Sequence, residues 1–437
     1  MDEPPKSILI LGAYGFIGST IANALSSAGH RVIGFGRDIS YGRSILPQIE
    51  WQQGDLGQYC DPQSWSPILR NIDVVINASG ILQSSPGNDV TVTQADAIIA
   101  LGSACEASGI SCFIQISACG ASDRAQVDFM QSKARADEYL LASSLNAIIF
   151  RAGLVIGRNS YGGTELIRMI GAMPYFTPHL SKMGQLQTIS LSEVVDAVAL
   201  AVKTPQEFAG SHDLVEEGSQ SLNYIIARHR EWLNFAPARW HIPINPFLIK
   251  LTANISDGLG WLGWRSPLRT NAVCSLIEGV QGDSRQTNAI LGRPAKALNE
   301  ILNDFPAGKQ DRVHARLMLA MPLFLAALVI LWLGSGILGL FKADEAVALL
   351  GQSQLSPLTA KLLVVSGACA DIILGLSLLF RKTVRWALAG TIIVTLVYLS
   401  GGVILTPGLW LDPLAPLIKA IAAMGLSITC LIALDKR

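Results

Sequence analysis

The sequence predicts an α/β fold, a doubly wound parallel sheet with a small attached lobe, followed by an all-α bundle of four membrane-spanning helices. Three observations predict it. Short apolar runs alternate with helix-like segments through the first part of the chain. A glycine-rich turn stands between the first run and the first helix. Four long apolar segments fill the end of the chain, where charges become sparse after Arg316.

Composition sets the outer bounds. A chain of 437 residues exceeds one ordinary domain. Half its residues are hydrophobic and 15% are charged, against about 25% charged in soluble domains. The 33 basic and 33 acidic residues cancel, which gives a nucleic-acid partner no electrostatic support. Seven cysteines (Cys60, Cys105, Cys112, Cys119, Cys274, Cys369 and Cys430) form no CxxC pair. Neither a disulfide framework nor a metal site is expected, and a reducing compartment fits. The opening residues Met1-Asp2-Glu3-Pro4-Pro5 carry no basic segment before an apolar stretch, so the N-terminal domain is expected to start in the cytoplasm.

The elements follow in order. Ser7–Leu11 reads as a buried strand, Ser19–Ala28 as a helix ending near Gly29, and Arg31–Phe35 as a second strand. Between the first two lies Gly12-Ala13-Tyr14-Gly15-Phe16-Ile17-Gly18. Strand, glycine turn, helix and strand within about 30 residues is the context a dinucleotide fingerprint requires. Gly12 permits the tight turn, Gly15 lets a pyrophosphate approach the backbone, and Gly18 lets helix and strand pack closely. The helix N-terminus then favours phosphate. Gly12, Tyr14, Gly15, Phe16, Ile17 and Gly18 are the candidate phosphate-side residues of this Rossmann unit.

Cofactor choice is read at the end of the second strand, Gly34-Phe35-Gly36-Arg37-Asp38. An acidic residue there binds the ribose hydroxyls of NAD, whereas a cation pairs with a 2′-phosphate. Gly36 leaves space and Arg37 supplies the cation, so NADP(H) is favoured; Asp38 keeps NAD(H) as the second candidate. Asp55 and Leu56, after a third strand, are candidate adenine contacts. The fourth strand, Asp73 to Gly80, ends in small residues that let a cofactor lie against the backbone at Ala78. A helix over Gln94–Ser108 and a fifth strand over Cys112–Ser117 continue the alternation.

With Gly12-xx-Gly15-xx-Gly18, Asp55-Leu56, Asn77-Ala78-Ser79-Gly80, Ser117-Ala118 and the late strand Ala147–Arg151 leading to Val155-Ile156-Gly157-Arg158, the chain resembles the short-chain dehydrogenase/reductase superfamily. The likeness is to its extended, NAD-dependent epimerase/dehydratase-like or atypical branches, and it covers roughly residues 6–300. It implies an NAD(P)-binding domain over 1–310, with a substrate lobe over about 160–300. It also implies a catalytic Tyr-xxx-Lys pair and a serine on the preceding strand. Here the matching segment is Phe129-Met130-Gln131-Ser132-Lys133, so Ser117 and Lys133 are the candidate catalytic residues, Lys133 also holding the nicotinamide ribose. Phe129 stands where the resemblance expects tyrosine, and a phenyl ring has no proton to donate. General acid–base catalysis is worth about 10²–10⁴-fold, so its loss argues against ordinary carbonyl reduction. Tyr139 falls on a different helix face from Lys133 and reads as a packing residue. This departure resembles the nicotinamide-holding accessory subunit of respiratory complex I, which implies cofactor binding without the full catalytic pair.

In the lobe, Ser192 is the expected N-cap of a helix beginning in Ser190–Asp196. Trp240, Trp261 and Trp264 are expected to pack the lobe, to line an apolar pocket, or to rest on a membrane surface. A polar stretch, Gly308–Arg312, then separates the two halves, leaving residues 311–437 as the membrane domain. Its predicted spans are Leu317–Phe341, Leu362–Phe380, Val384–Leu405 and Leu414–Leu434, each near the length of about 20 residues that crosses the hydrocarbon core.

Lys309, Arg312 and Arg316 precede the first span. Arg381, Lys382 and Arg385 lie between the second and third, and Lys436 and Arg437 follow the fourth. The loop Thr406–Pro413 has no cation, so the positive-inside rule puts both termini and the α/β domain in the cytoplasm. Asp371 lies mid-span in the second segment, at a cost of about 2.5–3.5 kcal/mol on insertion scales. It is expected to pair with Lys419 of the fourth or with a polar helix face, unless Lys419 snorkels outward. Trp332 to Gly336, the Asp371 span and Leu409 to Lys419 resemble a DoxX-like four-helix membrane domain. That resemblance implies a multi-pass protein of a bacterial inner membrane, tied to membrane redox systems.

Two functions are expected. One is an oxidoreductase-type protein acting on a lipophilic or quinone-like partner, with Ser117 or water as proton donor. The other is a non-catalytic, cofactor-holding scaffold or assembly factor of a membrane redox complex. Both take a nicotinamide dinucleotide and membrane lipid as partners, and a quinone or membrane redox protein as the third.

Overall fold

The computed structural model describes residues 4–434 apart from 82, 83, 85, 86, 88, 182, 265, 267 and 351–354. Lys436 and Arg437, used for the expected orientation, lie outside the described residues. The chain divides into two compact units. The first comprises Met1–Asp257 and Ser266–Arg312, the second Gly258–Arg265 and Val313–Arg437.

The first unit is built on a seven-stranded parallel sheet. Six strands are β1 (Ser7–Leu11), β2 (Arg31–Gly36), β3 (Glu50–Gln53), β4 (Val74–Asn77), β5 (Cys112–Ala118) and β6 (Ala147–Ala152). The seventh, Gly210–Leu214, lies at the β6 edge, and the order runs Gly210–Leu214, β6, β5, β4, β1, β2, β3. Ile8 pairs with both Val32 and Val74, so β1 is central. The chain winds from β1 outward through β2 and β3, then returns to the other side of β1 with β4. The carboxyl ends of β1 and β4 therefore flank the topological switch point, where open α/β sheets bind ligands.

Strand periodicity explains the two layers. Ile8 and Ile10 of β1 face one side and pack with Ile21, Leu25, Val194 and Val198. Leu9 and Leu11 face the other and pack with Phe35, Trp65, Leu101 and Leu140. Successive side chains alternate across a strand, so a sheet covered on both faces needs strands that are apolar throughout. A third cluster, with Ile156, Ile167, Leu186, Ile226 and Ile301, forms the core of the smaller lobe.

Two local expectations are corrected. The first helix, α1, spans Phe16–Ser27 rather than beginning at Ser19, because the Ser19 amide already donates to the Gly15 carbonyl at 3.0 Å. In the lobe, Ser192 is not a cap. The helix Leu191–Lys203 takes Ser190 as N-cap, and the Ser192 hydroxyl lies 2.7 Å from that of Ser190.

Among the described residues four helices are long and apolar enough to cross a membrane, Lys309–Phe341, Pro357–Leu379, Val384–Ile404 and Pro416–Ala433, and from Val313 on they belong to the second unit. The first starts earlier than its apolar run, since Lys309–Arg316 continues it as polar helix. Outward positions are large and apolar (Ile330 and Phe341 are 73% and 86% exposed), as lipid-facing positions require. Small residues face inward: a side chain at Gly336 would approach the Ala368 carbonyl to 2.6 Å, so these helices pack backbone to backbone.

Candidate functional site

The glycine turn follows β1 at the switch point. Gly12 has φ of +73°, and a side chain there would reach within 2.9 Å of Ser79 Cα and the Ala78 carbonyl. A side chain at Gly18 would lie 2.2 Å from the Gly12 carbonyl oxygen, so only glycine lets α1 start this close to the strand. Gly15 is the N-cap of α1 and no side chain caps the helix. The first helical hydrogen bond runs from the Ser19 amide to the Gly15 carbonyl, so the leading amides of α1, at Phe16, Ile17 and Gly18, come before the first helical donor and keep their capacity to bind an anion.

Tyr14 projects from the turn towards the end of β2. Its ring stacks on Trp51 at 5.9 Å and its hydroxyl accepts from the Arg37 amide at 3.1 Å. Gly36 makes room for that ring, since a side chain there would come within 2.5 Å of it. Arg37 is exposed. Asp38 is committed elsewhere: its Oδ1 accepts from the Tyr41 amide at 3.0 Å and caps the helix Ile39–Ile45. Asp55 caps a short turn by accepting from the Gly57 amide, and Leu56 packs against the core. The Ala78 amide donates to the Leu11 carbonyl, placing Ala78 beside the glycine turn.

At the ends of β5 and the helix Asp128–Ala142, the candidate chemical residues are enclosed in a buried polar network. Ser117 donates its hydroxyl to Asp137 Oδ2 at 2.6 Å, with Asp137 wholly buried. Arg151, the register partner of Ser117 on β6, brings Nε to 3.5 Å from the same oxygen. Lys133, 5% exposed, donates Nζ to the Ile116 carbonyl at 2.7 Å and lies 3.5 Å from the Ser79 carbonyl. Burial lowers the Lys133 pKa to about 8, against the opposing pull of Asp137. Burial likewise raises the Asp137 pKa, although Ser117, Lys133 and Arg151 all favour its charged form.

Phe129 is half-buried on this helix and offers no proton. Tyr139 packs against the core and reaches Glu106 Oε2 at 3.4 Å, as its helix face implied. Asp137 and Arg151 were missed from sequence. The available signal for Asp137 was its spacing four residues after Lys133, which puts both on one face of a helix.

Between the glycine turn and Lys133 lies a second polar group. Asn77 donates to Gln115 Oε1 at 2.8 Å and accepts from the Ser79 amide at 3.0 Å. Gln94 donates to the Ile81 carbonyl, but its Oε1 is buried without a partner and lies 3.3 Å from where a side chain at Gly80 would stand. Open helix amides at one end and an unsatisfied buried acceptor beside Gly80 fit a group that carries both phosphate oxygens and amide or hydroxyl donors. A nicotinamide dinucleotide is such a group.

In the second unit, Asp371 does not pair with Lys419, which is exposed. Asp371 is 3% exposed and accepts from Ser335 at 2.7 Å and from the Tyr398 hydroxyl at 2.6 Å. Two neighbouring helices thus satisfy it with neutral donors, the polar-face alternative of the sequence reading. Hydroxyls suffice because a carboxylate needs acceptor capacity filled, and Lys419 near a helix end reaches water more cheaply. The lobe tryptophans also diverge from packing: Trp240 and Trp261 are 60% and 73% exposed.

Comparison with known proteins agrees with this fold. Residues 12–169 match the NAD(P)H-binding family model, and residues 327–428 match the DoxX-like family. The chain is 29% identical over 154 residues to the photosystem II assembly factor Ycf39 of Synechocystis; the match covers 34% of this chain and 45% of that protein. The chain thus spans under half the length of that relative.

Among solved structures, MoeE5 in complex with UDP-glucuronic acid and NAD aligns with a TM-score of 0.51 at 18% identity, covering 68% of this chain and 96% of its own. Bordetella bronchiseptica WbmG in complex with NAD aligns at 0.50 and 14% identity, covering 72% and 94%. UDP-glucuronic acid 4-epimerase from Bacillus cereus aligns at 0.50 and 16%, covering 68% and 96%. Likeness at this identity establishes the fold. The chain therefore joins an NAD(P)-binding Rossmann domain to a C-terminal DoxX-like membrane domain.

Proposed function

We propose that this membrane protein holds a nicotinamide dinucleotide as a bound ligand without turning it over, acting as a scaffold or assembly factor for a membrane redox complex. The observation that carries the reading is the fate of the proton-donor positions. Position 129 is phenylalanine, and the Ser117 hydroxyl is spent on Asp137 at 2.6 Å. Lys133 donates to the Ile116 carbonyl at 2.7 Å. A general acid must reach the atom it protonates; residue 129 has no proton to give, and the Ser117 proton is held by Asp137.

In this reading the amides of the Gly12–Gly18 turn, with Tyr14, Gly15, Phe16 and Ile17, take the pyrophosphate. Asp55 and Leu56 meet the adenine, Ala78 supports the cofactor from below, and Lys133 holds the nicotinamide ribose. Arg37 pairs with a 2′-phosphate. The commitment of Asp38 to a helix cap supports NADP(H) over NAD(H), because the acid that would claim ribose hydroxyls faces the Tyr41 amide instead. The cation distribution around the spans supports a cytoplasmic dinucleotide domain, and the DoxX-like match is compatible with a bacterial inner membrane. The likeness to an assembly factor, Ycf39, is compatible with the same role.

The test pairs calorimetry with turnover. Purified full-length protein in detergent should bind NADP(H), and more weakly NAD(H), yet oxidise neither with a panel of quinones and lipophilic carbonyls. Phe129→Tyr should remain inactive, because Ser117 stays engaged with Asp137. Turnover by the natural sequence would replace this reading with the oxidoreductase one, in which Ser117 or water supplies the proton.

A further inference from the structure

The helix Pro246–Trp261 has its polarity reversed. The residues it buries are small or polar: Ala253, Ser256 and Gly260, with Asp257 half-buried and ion-paired to Arg269 at 3.2 Å. Its large apolar residues point outward, with Phe247 67%, Leu251 42% and Ile255 56% exposed, and Leu248 and Leu259 beside them. At 100° per residue these five form one stripe opposite the buried face. A helix in water buries its apolar stripe; a continuous exposed one marks an interaction surface.

What covers the stripe follows from where the helix ends. Its last residues, Gly258–Trp261, belong to the membrane unit together with the segment up to Arg265. Within that unit, the Trp264 indole donates at 2.6 Å to the carbonyl of Leu379, the last residue of a membrane-spanning helix. The Arg381 amide donates to the Leu262 carbonyl at 3.0 Å, and the Arg381 guanidinium stands 5.7 Å from the Trp264 ring centre. The end of a span marks the boundary between hydrocarbon and water, so these contacts fix the C-terminus of the helix at that level. Tryptophans at that level, here Trp261 and Trp264, are anchors of the interfacial belt.

We infer that the helix Pro246–Trp261 lies in the membrane interface, its stripe of Phe247, Leu248, Leu251, Ile255 and Leu259 buried among lipid headgroups and upper acyl chains. The occupant is the bilayer itself, and the depth is that of other monotopic helices, about 5–10 Å. This inference is independent of whether the cofactor is turned over.

The test uses the full chain, in a background where Cys60, Cys274 and Cys369 are serine, reconstituted into nanodiscs holding one chain each. Nitroxide labels at Leu251→Cys and Ile255→Cys are compared with one at Lys203→Cys on the exposed surface of the α/β unit. The expected result is a several-fold higher ratio of oxygen to nickel-chelate accessibility at 251 and 255 than at 203. Water-like accessibility at both sites overturns the inference. So does protection seen only when several chains share a disc, since a second copy would then be the occupant. Both labelled positions are outward-facing, and dinucleotide binding checks that the α/β unit is folded.

Discussion

The two ends of the candidate cofactor site, built at the carboxyl ends of one sheet's central strands, differ in kind. At the phosphate end everything depends on backbone: Gly12, Gly15 and Gly18 shape a turn whose leading amides carry no side-chain cap. At the chemical end everything depends on side chains, and these have been turned inward, with Ser117 on Asp137 and Lys133 on the Ile116 carbonyl. Binding by backbone survives almost any change that keeps the glycines. Chemistry requires a free hydroxyl at a stated point, and a single phenylalanine removes it. On the proposed reading, a dinucleotide domain keeps its grip while its reactive end becomes internal structure.

That contrast is open to attack, starting where the largest effect is expected. Asp137→Leu leaves the buried Ser117 hydroxyl without its acceptor and Arg151 without its carboxylate, and breaking a buried charge pair in this way costs about 3–5 kcal/mol. Denaturant unfolding of the α/β unit would show it, and a loss below 1 kcal/mol would mean the network is not structural. Gly18→Ala forces a methyl into the Gly12 carbonyl. Overpacking of this kind costs about 1–3 kcal/mol, and calorimetry should show dinucleotide binding abolished because the turn itself must shift.

The pH dependence sharpens the chemical end. Lys133 has a folded pKa of about 8 against 10.5 for the free side chain. Below pH 8 both folded and unfolded forms are charged and the burial cost is fully present. Between those values the unfolded chain binds the extra proton, so this group makes stability rise as pH rises through the window. Lys133→Met should flatten the difference in melting temperature between pH 7.5 and 9.5; an unchanged slope would remove Lys133 as its source.

Smaller effects test the margins. Arg37→Ser should cut the preference for NADP(H) over NAD(H) by about tenfold, the loss of one charge-assisted contact of about 1.5 kcal/mol, as read from the ratio of the two dissociation constants. Asp371→Leu removes the acceptor for Ser335 and Tyr398 between membrane helices. Interhelical hydrogen bonds in bilayers average about 0.6 kcal/mol, so a modest loss of resistance to detergent-driven unfolding is expected.

Much was legible in the residues alone. β1 and β2 and the glycine turn stand where an apolar run and a Gly-xx-Gly-xx-Gly spacing put them, because strand burial and tight turns are written in local sequence. The four spans were legible for a similar reason: a bilayer demands length and apolarity of each helix separately. The network around Ser117 was not legible, since Asp137 and Arg151 meet it from a helix and a neighbouring strand. Nor were the partners of Asp371, for which opposite charge suggested Lys419 while helix packing supplied Ser335 and Tyr398.

By itself the sequence determined the first strands of the sheet, four helices long and apolar enough to cross a membrane, and the Gly-xx-Gly-xx-Gly turn between the first strand and the first helix; each is set by neighbours within a few residues. Only the tertiary structure decided which polar groups are spent on one another and which face of Pro246–Trp261 is left outward. Burying a polar atom requires a partner at hydrogen-bond distance, and that partner is chosen by packing between elements distant along the chain.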